Sequence, residues 1–289
     1  MPSGILLIDK PIGITSHDVV AQLRKKLSER KIGHAGTLDP FASGLLILGV
    51  GSGTKLLHHL FGLDKQYLAT IRLGQATKTD DLTGEIIQES TATGISLSDI
   101  EERIRDFTGR IEQSPSSVSA IKVEGKRAYR LALEGKHVEL PPRTVEVYHM
   151  QITSELREVG QFIEFEVVVD CSSGTYIRAL ARDLGKAFGV GGHLRSLRRL
   201  RIGEFSITNS STVDQVTQLN SLSSVAAKVF PSVELVKEQA QNIIHGKRVF
   251  LTQDQPVAAI YRGNLLAILE PTKEGQFRSL TVFSEAFDD

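Results

Sequence analysis

The sequence predicts an α+β fold followed by a small β-rich C-terminal unit, and three observations lead there. Apolar runs of strand length, such as "GILLID" and "LLILGVG", stand between glycines and charged residues. Apolar residues at helical spacing recur among them: Val19, Leu23 and Leu27 share one face, and Ile177, Leu180 and Leu184 share another. After "RIGEFSI" the texture changes. The stretch "TNSSTVDQVTQLNSLSS" at 208–224 is rich in Ser, Thr and Asn, and only short strand-like runs follow it.

Taken in order, "GILLID" reads as a strand and "KPIG" as its turn. Ser16 is placed to cap a helix from about Asp18 to Leu27, with Arg24, Lys25 and Lys26 off its apolar face. "LLILGVG" at 45–51 is apolar without alternation, as a strand covered on both faces should be. "KQYLATIRLG" at 65–74 reads as a further strand, and "QATKTDDLTGE" as polar and turn-like. Ser98 with Glu101 predicts a capping box, followed by Ile100, Ile104 and Phe107 on one face and Gly109 as a stop. "VSAIKVEGKRAYRLALEGK" predicts a short strand, a Glu-Gly turn and a basic helix. "FIEFEVVVDCSSG" at 162–174 is strand into turn, and "TYIRALARDLGKAFG" is a helix. Near the end "VAAIY", "LLAIL" and "FRSLTVF" are short strands, the first two joined through Arg-Gly-Asn, a hairpin signal.

The bulk properties exclude several classes. Hydrophobic residues make up 40% of the chain and charged residues 24%, which suits a globular protein with a sizeable core. No apolar run reaches the ~18 residues a membrane helix needs. The opening "MPSGILLIDKPIG" lacks the charged stretch and cleavage-type site of a secretory leader, so a cytoplasmic protein is expected. Cys171 is the only cysteine, which leaves no internal disulfide and no thiolate zinc cage. The eight histidines do not fall at metal-ligand spacings, and the adjacent His58 and His59 read as surface residues. Basic and acidic residues balance at 34 each, yet they are not evenly spread. "QLRKKLSERK" at 22–31 has five basic residues and one acid, and "LRSLRRLR" at 194–201 has four arginines and no acid. Such patches are ordinarily solvated helix faces, and on a neutral protein they can also form a track for a polyanion.

The stretch with most chemistry in it is "GHAGTLDPFASG", residues 33–44. Asp39 is its one acid. Pro40 pushes Asp39 toward extended backbone angles, and an isolated Asp-Pro is most often a turn opener. Here Gly33, Gly36 and Gly44 permit close backbone approach, and the buried strand that follows makes a rigid base. A carboxylate on a rigid loop end is well placed to act as nucleophile or acid.

Five longer stretches occur in order: "DKPIGITSHDVV", "KIGHAGTLDPFASGLLILGVGSGTK", "KQYLATIRLGQATKTDDLTGE", "VSAIKVEGKRAYRLALEGK" and "CSSGTYIRALARDLG". Together they closely resemble the TruB family of tRNA pseudouridine synthases, from about Gly4 to about Arg201. The resemblance implies a central mixed, largely antiparallel sheet flanked by helices over residues 1–215. It implies an RNA-contacting insertion at 116–142, and a small PUA-like β domain at 225–289. It implies conversion of uridine-55 in the T-loop of tRNA to pseudouridine, with no cofactor or metal; a monomer with no required protein partner is expected, although the sequence itself does not fix the oligomeric state. Asp39 would be the essential catalytic residue, Tyr67 would lie beneath the uracil and help move its C5 proton, and Arg178 would pair with Asp39. His34 would stack in the RNA, Lys10 would face phosphate, and Leu197 would line the pocket. Tyr176, in the same "GTYIR", and Arg198, in the basic stretch, join the expected RNA contacts.

One departure from the family pattern is visible. Where many members carry Pro-Pro and an aromatic before "SA", this chain has "SPSSVSA", with Ser116 and Val118. Two other classes of function compete with the leading one. A glycosidic-bond hydrolase would need a second carboxylate facing Asp39, with Asp80, Asp81 and Asp170 the spare candidates. A non-catalytic RNA-binding or folding protein would keep the basic patches without requiring Asp39, Tyr67 and Arg178 together. A guide-RNA-dependent relative of the dyskerin type is disfavoured, because the chain lacks lysine-rich tails.

Overall fold

The computed structural model describes residues 3–116, 122–123, 126–127 and 141–288. Directly after the Glu-Gly turn, where the basic helix is expected, Lys126 and Arg127 form a strand paired with Lys122 and Val123; the rest of that stretch, most of the 116–142 insertion and Val118 lie outside the described residues.

The N-terminal body contains strands β1 (Gly4–Lys10), β2 (Ile32–Ala35), β3 (Ser43–Val50), β4 (Lys65–Leu73), β5 (Gln75–Thr77), β6 (Ile86–Glu89) and β7 (Gly109–Gln113). Helices α1 (Ser16–Leu27), α2 (Gly53–Leu60) and α3 (Leu97–Ile104) are interspersed with them. Further on come β8 (Lys122–Val123), β9 (Lys126–Arg127), β10 (Arg143–Ile152), β11 (Arg157–Val159) and β12 (Phe162–Cys171). Helix α4 (Ile177–Ala187), β13 (Gly192–Ile202) and β14 (Phe205–Ser206) complete this body. The main sheet runs β1-β3-β13-β4-β12-β10-β7, with β2 also on β3, β11 on β12 and β14 on β13. Its pairs are antiparallel except β3 with β13, which is parallel, so the sheet is mixed and largely antiparallel as expected.

The apolar run in β3 is explained by two coverings. Leu46, Leu48 and Val50 pack with Val19, Val20 and Leu23 of α1. Leu45 and Ile47, pointing the other way, pack with Leu56, Leu57 and Leu60 of α2 and with residues of the C-terminal sheet. A strand covered on both faces has no use for alternation. By contrast β4 alternates strictly between buried and partly exposed positions. Its inward residues Tyr67, Ala69, Ile71 and Leu73 share a core with Ile177, Leu180 and Leu184 of α4.

Both predicted helix caps are shifted. The N-cap of α1 is Thr15, which forms a capping box with Asp18. Ser16 is buried instead: its hydroxyl donates to the Leu38 carbonyl at 3.2 Å and accepts from the Leu38 N–H at 2.9 Å. The box on α3 is Ser96 with Asp99, two residues before the expected pair. In both cases the acid lies three residues past the hydroxyl, and several candidates overlap in these Ser/Thr-rich lead-ins. The "LRSLRRLR" stretch is neither a helix nor a helix face. It forms much of β13, and two register shifts there break the alternation of its side chains.

The remaining elements are α5 (Leu222–Ala226), β15 (Ser232–Glu234), α6 (Lys237–Ile244), β16 (Val249–Phe250), β17 (Val257–Tyr261), β18 (Asn264–Pro271), β19 (Gln276–Val282) and α7 (Glu285–Asp288). The five strands form a sheet in the order β15-β17-β18-β19-β16. The expected hairpin is present as β17 and β18 around Arg262 and Gly263. The polar segment before it is not a loose tether. Ile5 exchanges backbone hydrogen bonds with Asn220, and Ser211 with Leu7 and Asp9. His59 reaches Thr281 at 2.9 Å and sits edge-on to Phe230, so it helps seat the second sheet on the first body.

Candidate active site

Asp39 lies in the loop between β2 and β3, and this loop is held from several directions. Ser16 grips Leu38 as described above. The Gly13 N–H donates to the Pro40 carbonyl at 2.7 Å, and the Ala42 N–H to the Asp39 carbonyl at 3.1 Å. Arg199, on β13, donates through Nε to the Leu45 carbonyl at 2.7 Å and through Nη2 to the Gly36 carbonyl at 3.1 Å. Gly44 has φ +107, and a Cβ there would fall 2.3 Å from the Arg199 carbonyl oxygen. Only glycine lets β13 come this close.

The Asp39 carboxylate meets Arg178, near the start of α4, at 3.0 Å. The Arg178 side chain is 5% exposed and that of Asp39 is 39% exposed, so the cation is buried while the anion opens toward solvent. Arg178 also touches Asp81 at 3.4 Å, the Thr79 carbonyl at 2.9 Å and the Ser116 hydroxyl at 3.4 Å. Asp81 is held in turn by the Thr79 and Thr83 hydroxyls and the Thr83 N–H. The guanidinium thus bridges two carboxylates from different loops, a task that suits its planar fork.

Burial pushes the Asp39 carboxyl above the usual carboxylate range. Arg178 opposes that shift, Asp81 adds to it, and Lys10 opposes it more weakly. Tyr67 lies nearby on β4 in the same core cluster as Leu38, Ala42 and Leu197. Burial pushes its phenol up as well, while the Arg199 guanidinium interacts with the phenol and works against the shift.

The other sequence-predicted positions divide. His34, on β2, is half-buried, sits edge-on to His17 at 5.3 Å, and has a buried Nδ1 with no hydrogen-bond partner. Burial, His17 and Arg199 lower its pKa to about 4, which leaves the imidazole neutral at physiological pH. Leu197 is buried beside Tyr67. Tyr176 caps α4, its backbone exchanging hydrogen bonds with the Gln113 amide at 2.7 and 3.1 Å. Arg198 pairs with Asp9 at 2.6 Å and keeps part of its surface open. Lys10 is drawn inward. It is fully buried, its ammonium donates to the Pro11 and Ile14 carbonyls at 2.8 Å each, and burial lowers its pKa to about 8. It shapes the turn after β1.

The spare carboxylates are all engaged. Asp81 is held by Arg178, Asp80 by Arg182 at 3.3 Å, and Asp170 by Arg201 at 2.6 Å and Gln66 at 3.0 Å. Ser16 and Arg199 are the residues that sequence reasoning missed. Ser16 looks like a helix cap, and Arg199 looks like one basic residue in a basic run. Only the spacing of Arg199 from Leu197, two residues along a strand, hinted at a shared face.

The architecture is shared with a solved Cbf5–Nop10–Gar1 complex: TM-score 0.68 and 25% identity, covering 97% of this chain and 84% of that one. Fold and sequence together define a pseudouridylate synthase, which is an isomerase. The chain belongs to the TruB family: its N-terminal domain model, "TruB family pseudouridylate synthase", matches residues 24–177, and the "tRNA pseudouridylate synthase B C-terminal domain" matches 178–230. Among its relatives, the tRNA pseudouridine synthase B of Leifsonia xyli is 48% identical, covering 93% of this chain and 92% of that protein. That of Rhodococcus jostii is 48% identical, covering 85% and 82%.

Proposed function

We propose that the chain isomerises uridine-55 in the T-loop of tRNA to pseudouridine, with Asp39 as the essential catalytic residue. The observation that carries this reading is the Asp39–Arg178 pair, 3.0 Å apart, on a loop pinned by backbone and side-chain bonds. The names of the relatives support tRNA as the substrate.

The chemistry asks for such a site. The N1–C1′ bond breaks, the uracil turns, C5 bonds to C1′, and the C5 proton leaves while N1 gains one. A base inside a folded loop is reached only by flipping it out, at about a few kcal/mol. The carboxylate must then be ionised in a place that disfavours its charge. Arg178 supplies the opposing field from within the protein, and Lys10 adds to it. Tyr67 offers a flat ring for the uracil and a phenol near the C5 proton. His34, Tyr176, Leu197 and Arg198 provide the surrounding RNA contacts, the neutral His34 ring by stacking. Residues 1–215 act as the catalytic unit, 116–142 as an RNA-contacting insertion and 225–289 as a PUA-like module. The protein works as a cytoplasmic monomer without an obligatory protein partner. Asp81 shares Arg178 with Asp39, so the hydrolytic reading is separated from this one by the product of the assay below.

The test is tritium release from unmodified tRNA labelled at uracil C5. The wild-type chain should release tritium and leave the base on the RNA, whereas a hydrolase leaves an abasic site and a binder does neither. Asp39→Asn should abolish release while tRNA affinity stays within about tenfold, roughly 1.4 kcal/mol. Undiminished turnover in that variant would refute the assignment.

A further inference from the structure

We infer that Arg199 is a positioning residue, one that fixes the Asp39 loop and Tyr67 relative to each other through a single buried guanidinium. The inference rests on the catalytic reading of Asp39 and Tyr67 given above.

Arg199 is 1% exposed, and among the described residues it is the largest of the fully buried side chains. Among the described residues it has no carboxylate partner within salt-bridge distance, although Arg195, Arg198 and Arg201 on the same strand each have one. A charge taken from water without an anion is held by hydrogen bonds to neutral groups, and these are specific. Its Nε bonds the carbonyl of Leu45 and its Nη2 the carbonyl of Gly36, the two ends of the segment that carries Asp39. In the sheet Arg199 lies opposite Gly44 on one side and opposite Tyr67 on the other. Its positive charge also acts on the Tyr67 phenol, opposing the rise in pKa that burial causes. One group therefore closes the Asp39 loop at its base and spans to the ring proposed to lie under the uracil. It is also a fixed positive charge, felt by His34 and Lys10, within the site.

A lysine cannot do the same. It would keep the charge but present one nitrogen where the guanidinium presents a rigid fork. For Arg199→Lys the expected result is a fall in kcat of about 100-fold with KM within about threefold, since misplacing reacting groups by about 1 Å has this effect. The variant should bind tRNA normally and retain a cooperative melting transition. Combined with Tyr67→Phe, its effect on kcat should be less than multiplicative, because the two residues are paired in the sheet and Arg199 acts on the Tyr67 phenol.

A merely structural arginine would lower the melting temperature and leave kcat of the folded fraction unchanged. That outcome, or full multiplicativity with Tyr67→Phe, overturns the inference. Arg199→Gln, which retains a donor amide without the charge, is the second variant if lysine prevents folding, and the same losses are expected. Failure of both to fold also overturns it, since Arg199 would then be a requirement of folding and not of placement. If Asp39→Asn is inactive while Arg199→Lys is fully active, this inference falls and the catalytic reading stands. If Asp39→Asn is active, the catalytic reading itself falls.

Discussion

The two sheets solve the problem of burial in opposite ways. In the second sheet the core is apolar: Val257, Leu266, Leu269 and Phe277 pack together with Ala240 and Ile243 of α6. In the first body Lys10, Lys65, Asp80, Asp81, Glu164, Arg178 and Arg199 are all buried. Among the described residues every buried charged side chain precedes residue 200. Buried charges are poor sources of stability, because desolvation offsets most of the attraction between partners. Three of them, Lys10, Asp81 and Arg178, act directly on the Asp39 carboxyl, whereas the second sheet is arranged for cohesion.

The largest expected effect comes from removing the central cation. Arg178→Leu should abolish turnover and lower stability by roughly 3–5 kcal/mol, the typical result of orphaning a buried charge partner, here Asp81. Activity assays and urea unfolding measure both losses, and an active, stable variant would break the contrast between the sheets. Leu269→Ala in the second sheet should lower stability by about 2–5 kcal/mol through the cavity it leaves, with kcat of the folded protein unchanged. A fall in kcat there would mean that the second core also supports the chemistry.

Smaller effects sharpen the electrostatics. If turnover needs ionised Asp39, activity falls on acidification at a pH above the range of a free carboxylate, because the Asp39 pKa is raised. Asp81→Asn removes a charge that contributes to the raising, so the acid limb of the pH–rate profile should move to lower pH. A move to higher pH would show that Asp81 acts mainly by holding Arg178. The same shift has a stability side. The folded pKa of Asp39 lies above its unfolded value, so the native state binds the proton more readily, and stability is lost as pH rises through that window. At neutral pH Asp39→Asn should therefore melt no lower than wild type, and a thermal scan decides this. The smallest effect is expected for Arg198→Ala, whose pair with Asp9 is partly exposed and worth about 0–1 kcal/mol. Its stability should barely move while tRNA binding weakens and becomes less steep in salt, and unchanged binding would remove Arg198 from the RNA surface.

Ser16 shows where local reading stops. Its hydroxyl stands beside a helix start, which is where a cap is sought, but Thr15 takes that role and leaves Ser16 to hold Leu38, 22 positions away. Lys10 also depends on its surroundings. The Pro11 and Ile14 carbonyls that draw its ammonium inward are a feature of the turn's geometry.

What the sequence determined by itself is what depends on neighbours along the chain. The two-faced apolar run of β3, the alternation of β4 and the apolar stripes of α1 and α4 are periodicities, and periodicity is local. The motifs around Asp39, Tyr67 and Arg178 were legible because several long stretches occur in register. The tertiary structure alone decided how charges pair. Arg178 finds Asp81 across 97 positions, and Arg199 reaches Gly36 across 163. Which of four arginines on one strand turns inward is set by bulges in the strand and by glycines on its neighbour, and no spacing rule within the run encodes either.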